Sequence, residues 1–163
     1  NKLLPLKTVE KHRFKEQLQK VNRSVAHVSL YIGLEGTPEE LSIPKSNYWI
    51  YPKDHDHDSC VKNYVEDISQ AFPVVYLSFP SAKDPDWSNR YPGKSTIDVI
   101  TLIPYEKFKE WAGTPWKKRG DAYEAKKEEI AQRLLKEVYK QLPQVEGKVN
   151  CYELSSPLQR STL

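Results

Sequence analysis

The sequence predicts an α+β fold: an antiparallel or mixed β-sheet with helices packed mainly on one face. Three observations carry this. Ser24–Leu34 and Thr96–Ile103 alternate apolar and other residues with a period of two. Asp121–Leu142 places its apolar residues at helical spacing. Strands and helices do not alternate regularly, as a parallel βαβ sheet would require. The 163 residues, 38% hydrophobic and 29% charged, fit one domain spanning 1–163 with one core.

Along the chain, Thr8–Val21 reads as a short amphipathic helix, capped by Thr8, with Phe14, Leu18 and Val21 on one face. In Ser24–Leu34 the residues Ala26, Val28, Leu30, Ile32 and Leu34 form an apolar face. The other face, which carries His27, Ser29, Tyr31 and Gly33, is mixed, and two readings stay open for it: a face under helices or a cavity wall. Gly36–Glu40 marks a turn into a single helical turn capped by Thr37. Asn47–Tyr51 is a short aromatic strand, Pro52–Asp58 a charged loop, and Val61–Ile68 fits helix or strand.

Val74–Phe79 and Thr96–Ile103 are strands that pair antiparallel across the long connection Ser78–Thr96, SFPSAKDPDWSNRYPGKST. Pro80 ends the first strand because it has no N–H to donate. Tyr91-Pro92-Gly93-Lys94 suits a type II turn. Connections of this length without secondary structure are often functional. Tyr105–Ala112 begins a short helix ended by Gly113. The helix Asp121–Leu142 opens on an Asp121/Glu124 capping-box pattern and buries Tyr123, Ile130, Leu134, Leu135, Val138, Tyr139 and Leu142. Pro143 stops it, and Lys148–Leu154 is the last strand.

Composition removes several function classes. The net charge of +3 comes from interspersed basic and acidic residues, which is no nucleic-acid footprint. No apolar run approaches a membrane span, and the first residues hold no signal-peptide core. Cys60 and Cys151 stand far apart outside any CxxC and read as thiols of a reducing compartment, so the protein is expected not to be secreted. Methionine is absent, which gives the look of a piece cut from something longer.

Motifs for chemistry are sparse. Asp54-His55-Asp56-His57-Asp58 offers metal-ligand residue types, but in an extended segment the His and Asp side chains point opposite ways and no second cluster completes a shell; a solvated loop is the better reading. No metal is expected. There is no GxSxG, HExxH or P-loop, and no GxGxxG, so no dinucleotide cradle is expected. No catalytic residue can be named. The many aromatics, Tyr48, Trp49, Tyr51, Tyr76, Phe79, Trp87, Trp111 and Trp116 among them, fit core packing or the wall of an apolar tunnel.

Four stretches in order, SLYIGLEGTPEEL at 29–41, SFPSAKDPDWSNRYPGKST at 78–96, PYEKFKEWAGTPWKKRGDAYEAKKEEIAQRLL at 104–135 and YELSSPL at 152–158, together resemble the retinol saturase and carotenoid isomerase group. These are FAD-dependent oxidoreductases related to phytoene desaturase in the amine-oxidase superfamily. The resemblance covers about Val25 to Leu158 and falls on the middle, substrate-side part of such enzymes.

It implies FAD in the full-length enzyme and none in this segment, since the flavin site of the family is built from N- and C-terminal segments. It implies the flavin-binding domain of the same polypeptide and an apolar polyene or isoprenoid substrate as partners. It leaves a membrane surface open for the full enzyme, on the cytoplasmic side or membrane-associated. The flavin would carry the redox chemistry, which accounts for the missing catalytic motifs. The family-matched positions Ser78, Phe79, Pro80, Ser81, Lys83, Asp84, Pro85, Pro92, Gly93 and Lys94 are expected to face the substrate or the flavin domain, with His27 and Tyr31 as cavity candidates. A stand-alone module for an apolar ligand and a protein-interaction domain remain the alternatives. A closed cavity on the mixed face of Ser24–Leu34 would favour the former.

Overall fold

The computed structural model describes residues 3–21, 24–52, 55–115 and 117–160. Its centre is a five-stranded, wholly antiparallel sheet in the order β2-β3-β4-β1-β5. The strands are β1 (Ala26–Glu35), β2 (Tyr48–Ile50), β3 (Val75–Ser78), β4 (Lys94–Ile103) and β5 (Val149–Ser155). The α+β expectation holds, and β3 and β4 pair antiparallel as read from the sequence, with β1 as the second neighbour of β4.

The register explains the alternation. Leu30 stands opposite Val99 and Leu154, Ile32 opposite Ile97, and Leu77 opposite Val99, so the apolar residues of four strands share one face. The long helix α6 (Asp121–Gln141) lays Ile130, Ala131, Leu134 and Val138 into the same core. Helix α3 (His57–Glu66) adds Tyr64. Here tertiary burial settles the ambiguous Val61–Ile68 stretch as largely helical, with Asp56 Oδ1 accepting the Ser59 N–H at 3.1 Å as its cap. The Tyr64 hydroxyl has no partner within this core, and burial pushes its pKa up to about 12. Tyr64→Phe is therefore expected to stabilise the chain by about 1 kcal/mol at neutral pH. An unfolded tyrosine ionises near pH 10, so the native chain loses stability as pH climbs from there towards 12. The gain from Tyr64→Phe should widen over that window, as melting curves at pH 8 and pH 11 would show.

Two expectations are corrected. Thr8–Val21 is not one helix but two six-residue helices, α1 (Leu6–Lys11) and α2 (Phe14–Gln19), broken where Arg13 takes a left-handed φ of 53°. Only Val9 is buried there, while Leu18 is 61% exposed, so the predicted stripe meets no core that would hold a longer helix together. The start of α6 is not a capping box: Gly120 is its cap residue, at φ 86°, and no side chain caps it. The capping box lies instead at Thr37, whose N–H donates to Glu40 Oε2 at 2.8 Å while Thr37 Oγ1 accepts from the Glu40 N–H at 3.2 Å.

The long connection is not structureless. It forms α4 (Pro80–Lys83) and α5 (Trp87–Arg90) before the Tyr91–Lys94 turn, where Gly93 has φ 67° and the Lys94 N–H reaches the Tyr91 carbonyl at 3.3 Å. Pro80 ends β3 as expected and starts α4. Beyond α5, Tyr105–Trp111 is a 3-10 helix, and a last short helix, α7, spans Pro157–Arg160. Cys60 and Cys151 are not joined in a disulfide.

Candidate functional site

The second face of the sheet is left largely open. Successive residues of a strand point to opposite faces, so the register that buries Leu30, Val99 and Leu77 turns Tyr31, Asp98 and Ser78 outward in one cross-strand row, with Glu153 at its end. The next row is Thr96, Gly33 and Cys151. Between them lies an open trough of about 530 Å³, mostly apolar, with Tyr31, Gly33, Pro80, Thr96, Asp98 and Cys151 in its wall. Tyr31 is 46% exposed, whereas Ser29, two residues earlier on the same face, is buried, so the opening covers only part of the face.

Gly33 sets the trough floor. A Cβ placed there would stand 2.9 Å from Cys151 Sγ, and the β1–β5 register shifts between Gly33 and Leu34. At the other margin Lys83 donates to Asn47 Oδ1 and, at 3.3 Å, to Ser78 Oγ. Asn47 Nδ2 donates to the Tyr76 hydroxyl at 2.7 Å, and the Tyr76 ring packs on Trp49 with centroids 4.6 Å apart. Burial raises the Asp98 carboxyl above its ordinary pKa, opposed by the positive charge of Lys83.

The sequence-nominated residues divide three ways. Tyr31 and Pro80 line the trough, and Ser78 and Lys83 sit at its polar margin. Phe79 points the other way: it is fully buried and meets Tyr48 edge-on at 5.4 Å. His27 is half-buried and lies outside the trough wall.

The rest hold the connection together. Ser81 replaces the missing strand: its Oγ accepts the Thr96 N–H at 2.9 Å and donates to the Thr96 carbonyl at 3.3 Å, just past the last β3–β4 pair. Ser81→Ala strands both backbone groups in a part-buried setting and is expected to cost about 1–3 kcal/mol, measurable by urea unfolding. Asp84 pairs with Arg90, whose guanidinium also lies 5.4 Å from the Tyr91 ring centre. Lys94 pairs with Glu35, holding that carboxyl below its usual range, and its carbonyl accepts from Trp87 Nε1 at 2.8 Å. Pro85, Pro92 and Gly93 are exposed on the outer turns.

Sequence reasoning had Gly33 on a face that could wall a cavity, but it missed Thr96, Asp98, Cys151 and Glu153. One signal existed for Asp98: an acid inside a β-branched run, where Asp is disfavoured unless its face is special. Two residues of the Asp54–Asp58 run have structural contacts. Asp54 and Trp116 lie outside the described residues, Asp56 caps α3, and the His57 ring packs on Tyr51 at 4.6 Å. Among the described residues no group of three His, Cys, Asp or Glu side chains is placed to hold a metal, and no helix is long and apolar enough to cross a membrane.

Fold and trough define an antiparallel α+β unit with one sheet face under helices and an apolar trough on the other. By sequence, this unit is similar to one segment of proteins named all-trans-retinol 13,14-reductase. It is 38% identical to the Homo sapiens all-trans-retinol 13,14-reductase over 148 residues, 88% of this chain and 24% of that protein. The Danio rerio protein of that name is 31% identical over 160 residues, 96% of this chain and 26% of that protein. A second Danio rerio protein, named inactive all-trans-retinol 13,14-reductase, is also 31% identical, over 147 residues, 88% of this chain and 24% of that protein. The chain thus spans about a quarter of the length of the curated relatives it matches. No family model matches it.

Proposed function

We propose that this chain is the substrate-side domain of an FAD-dependent oxidoreductase that saturates, desaturates or isomerises carbon–carbon double bonds of a retinoid, carotenoid or related isoprenoid. The observation that carries the reading is the 31–38% identity, over most of the chain, to proteins named all-trans-retinol 13,14-reductase. The mostly apolar trough supports it, because its volume falls in the usual range for small-molecule sites, about 300–1,000 Å³. The trough is open along one side, so a bound polyene needs a second wall. The flavin-binding domain of the same polypeptide supplies that wall in this reading.

The residues of this chain do not fit an FAD pyrophosphate. Such a cradle uses a strand, a glycine-rich turn and a helix N-terminus within a parallel βαβ unit. Here every described strand pair is antiparallel, and the positive-φ glycines 36, 93, 113, 120 and 147 stand singly in separate turns. In this reading the chain's own work is to bind, orient and desolvate a hydrocarbon chain. The likeness to a relative named inactive agrees with that division, because this segment does not separate the two kinds of relative. A lipid surface is the fitting workplace for such substrates, and the exposed Leu3, Leu4, Leu6 and Val21 beside Lys7, Lys11 and Lys20 are suited to one.

The test uses the complete polypeptide that carries this chain. It is expected to hold FAD stoichiometrically and to turn over all-trans-retinol, and Thr96→Trp, which fills the trough, should lower kcat/KM at least tenfold with FAD content unchanged. A complete polypeptide without flavin, stoichiometric FAD on the 163-residue chain alone, or an indifferent Thr96→Trp would overturn the reading.

A further inference from the structure

The trough wall is mostly apolar, yet two acids stand in it: Asp98 and, at the β5 edge, Glu153, which is exposed and lies 3.9 Å from Lys127 Nζ. Asp98 lies mid-strand on β4, half-buried, with Tyr31 and Ser78 as its cross-strand neighbours. Among the described residues its carboxylate has no hydrogen-bond or ion-pair partner. Lys83, whose positive charge acts on it, donates its hydrogen bonds to Asn47 and Ser78. A half-buried carboxylate without a donor costs free energy that a ligand can recover by donating to it. A cationic ligand would meet the field of Lys83, so a neutral O–H donor fits better than an ammonium. From Asp98 the trough runs past Thr96 and the bare Gly33 to Cys151, none of them charged, while Glu153 stands at the edge beside Tyr31. Two residues along a strand cover about 6.6–6.8 Å, so the path suits a hydrocarbon chain leading away from a single polar end.

We propose that Asp98 anchors the hydroxyl end of an isoprenoid alcohol, with the hydrocarbon chain lying over Thr96 and Gly33 towards Cys151. The anchor rests on the substrate-side reading above and deepens it: the trough selects alcohols over their hydroxyl-free analogues. Asp98 is a specificity-determining residue here and takes no part in bond making.

The experiment compares all-trans-retinol with its methyl ether, which lacks the donor hydrogen, in the complete FAD-loaded polypeptide. The unsubstituted enzyme should favour the alcohol. Asp98→Ala should lower kcat/KM for the alcohol about 10- to 100-fold, mainly through KM, and leave the ether within about twofold. Asp98→Asn, which keeps an acceptor oxygen and the side-chain shape, should retain part of the preference and guards against a folding artefact. If Asp98→Ala changes alcohol and ether by the same factor, or changes neither, while Thr96→Trp still blocks both, the anchor is wrong and the substrate-side reading stands. If Thr96→Trp blocks neither, both fall together.

Discussion

Replacing Phe79 by Ala should cost about 3–5 kcal/mol of stability, the range for truncating a buried aromatic. At about 2–4 °C per kcal/mol for a chain of this size, the melting temperature should fall by about 6–20 °C. The sequence leaves Phe79 open between core packing and a place facing the substrate or the flavin domain, since it ends an apolar strand and begins the proline-rich connection. The sheet decides for the core. Val75, Leu77 and Phe79 alternate inward while Tyr76 and Ser78 alternate outward, and Phe79 is fully buried against the Tyr48 ring. Its loss opens a cavity beneath the one place where the ladder hands over from β3 to the Ser81 side chain. Ser78→Ala, on the open face one residue away, should change stability by no more than about 0.5 kcal/mol. Calorimetry on both variants checks the contrast. A Phe79→Ala cost below about 1 kcal/mol would mean that the ring is not part of the core.

This contrast also marks what the sequence carries. Strict alternation made β1 and β4 legible together with their buried faces, because a period of two has one structural meaning. The helical period did the same for α6. The outward row of Tyr31, Asp98 and Ser78 was hidden for a physical reason: it is assembled across three strands from residues up to 67 positions apart, from Tyr31 to Asp98, and no local period encodes which strand lies beside which. The long connection was legible as an element and opaque in its parts. Prolines and glycine predicted the end of β3 and the turn at Tyr91–Lys94, but that Ser81 would pair with Thr96 depends on a contact fifteen residues away. The α1–α2 region failed in the opposite sense. Its pattern was present, but the described structure gives that stripe nothing to pack on, and periodicity alone does not hold a helix.

Tyr123 is where the second large effect is expected, and it separates ring from hydroxyl. The ring stands edge-on to Trp111 at 5.5 Å and to Phe108 at 6.1 Å, and the Arg119 guanidinium lies 5.2 Å from its centre. The hydroxyl shares a hydrogen bond with Ser156 Oγ at 2.6 Å and accepts from Arg119 Nη1 at 3.2 Å. Arg119 also donates to the Leu158 carbonyl at 3.4 Å, and the Leu158 N–H donates to Ser156 Oγ at 3.2 Å. The network is buried and ties the first turn of α6 to the chain leaving β5. Tyr123→Ala should cost about 3–5 kcal/mol through the lost ring alone. Tyr123→Phe should cost about 1–3 kcal/mol, because it keeps the ring packing and leaves Ser156 and Arg119 short of a buried partner. Amide hydrogen exchange gives the location. Tyr123→Phe should accelerate exchange at Ser156 and Leu158, and along β5 at Cys151 and Glu153, more than across β3. Because β5 supplies one wall of the trough, the same variant should loosen ligand binding there without touching Asp98. Uniform acceleration over all five strands would instead mean that Tyr123 acts only through global stability, and that the β5 wall is held independently of this network.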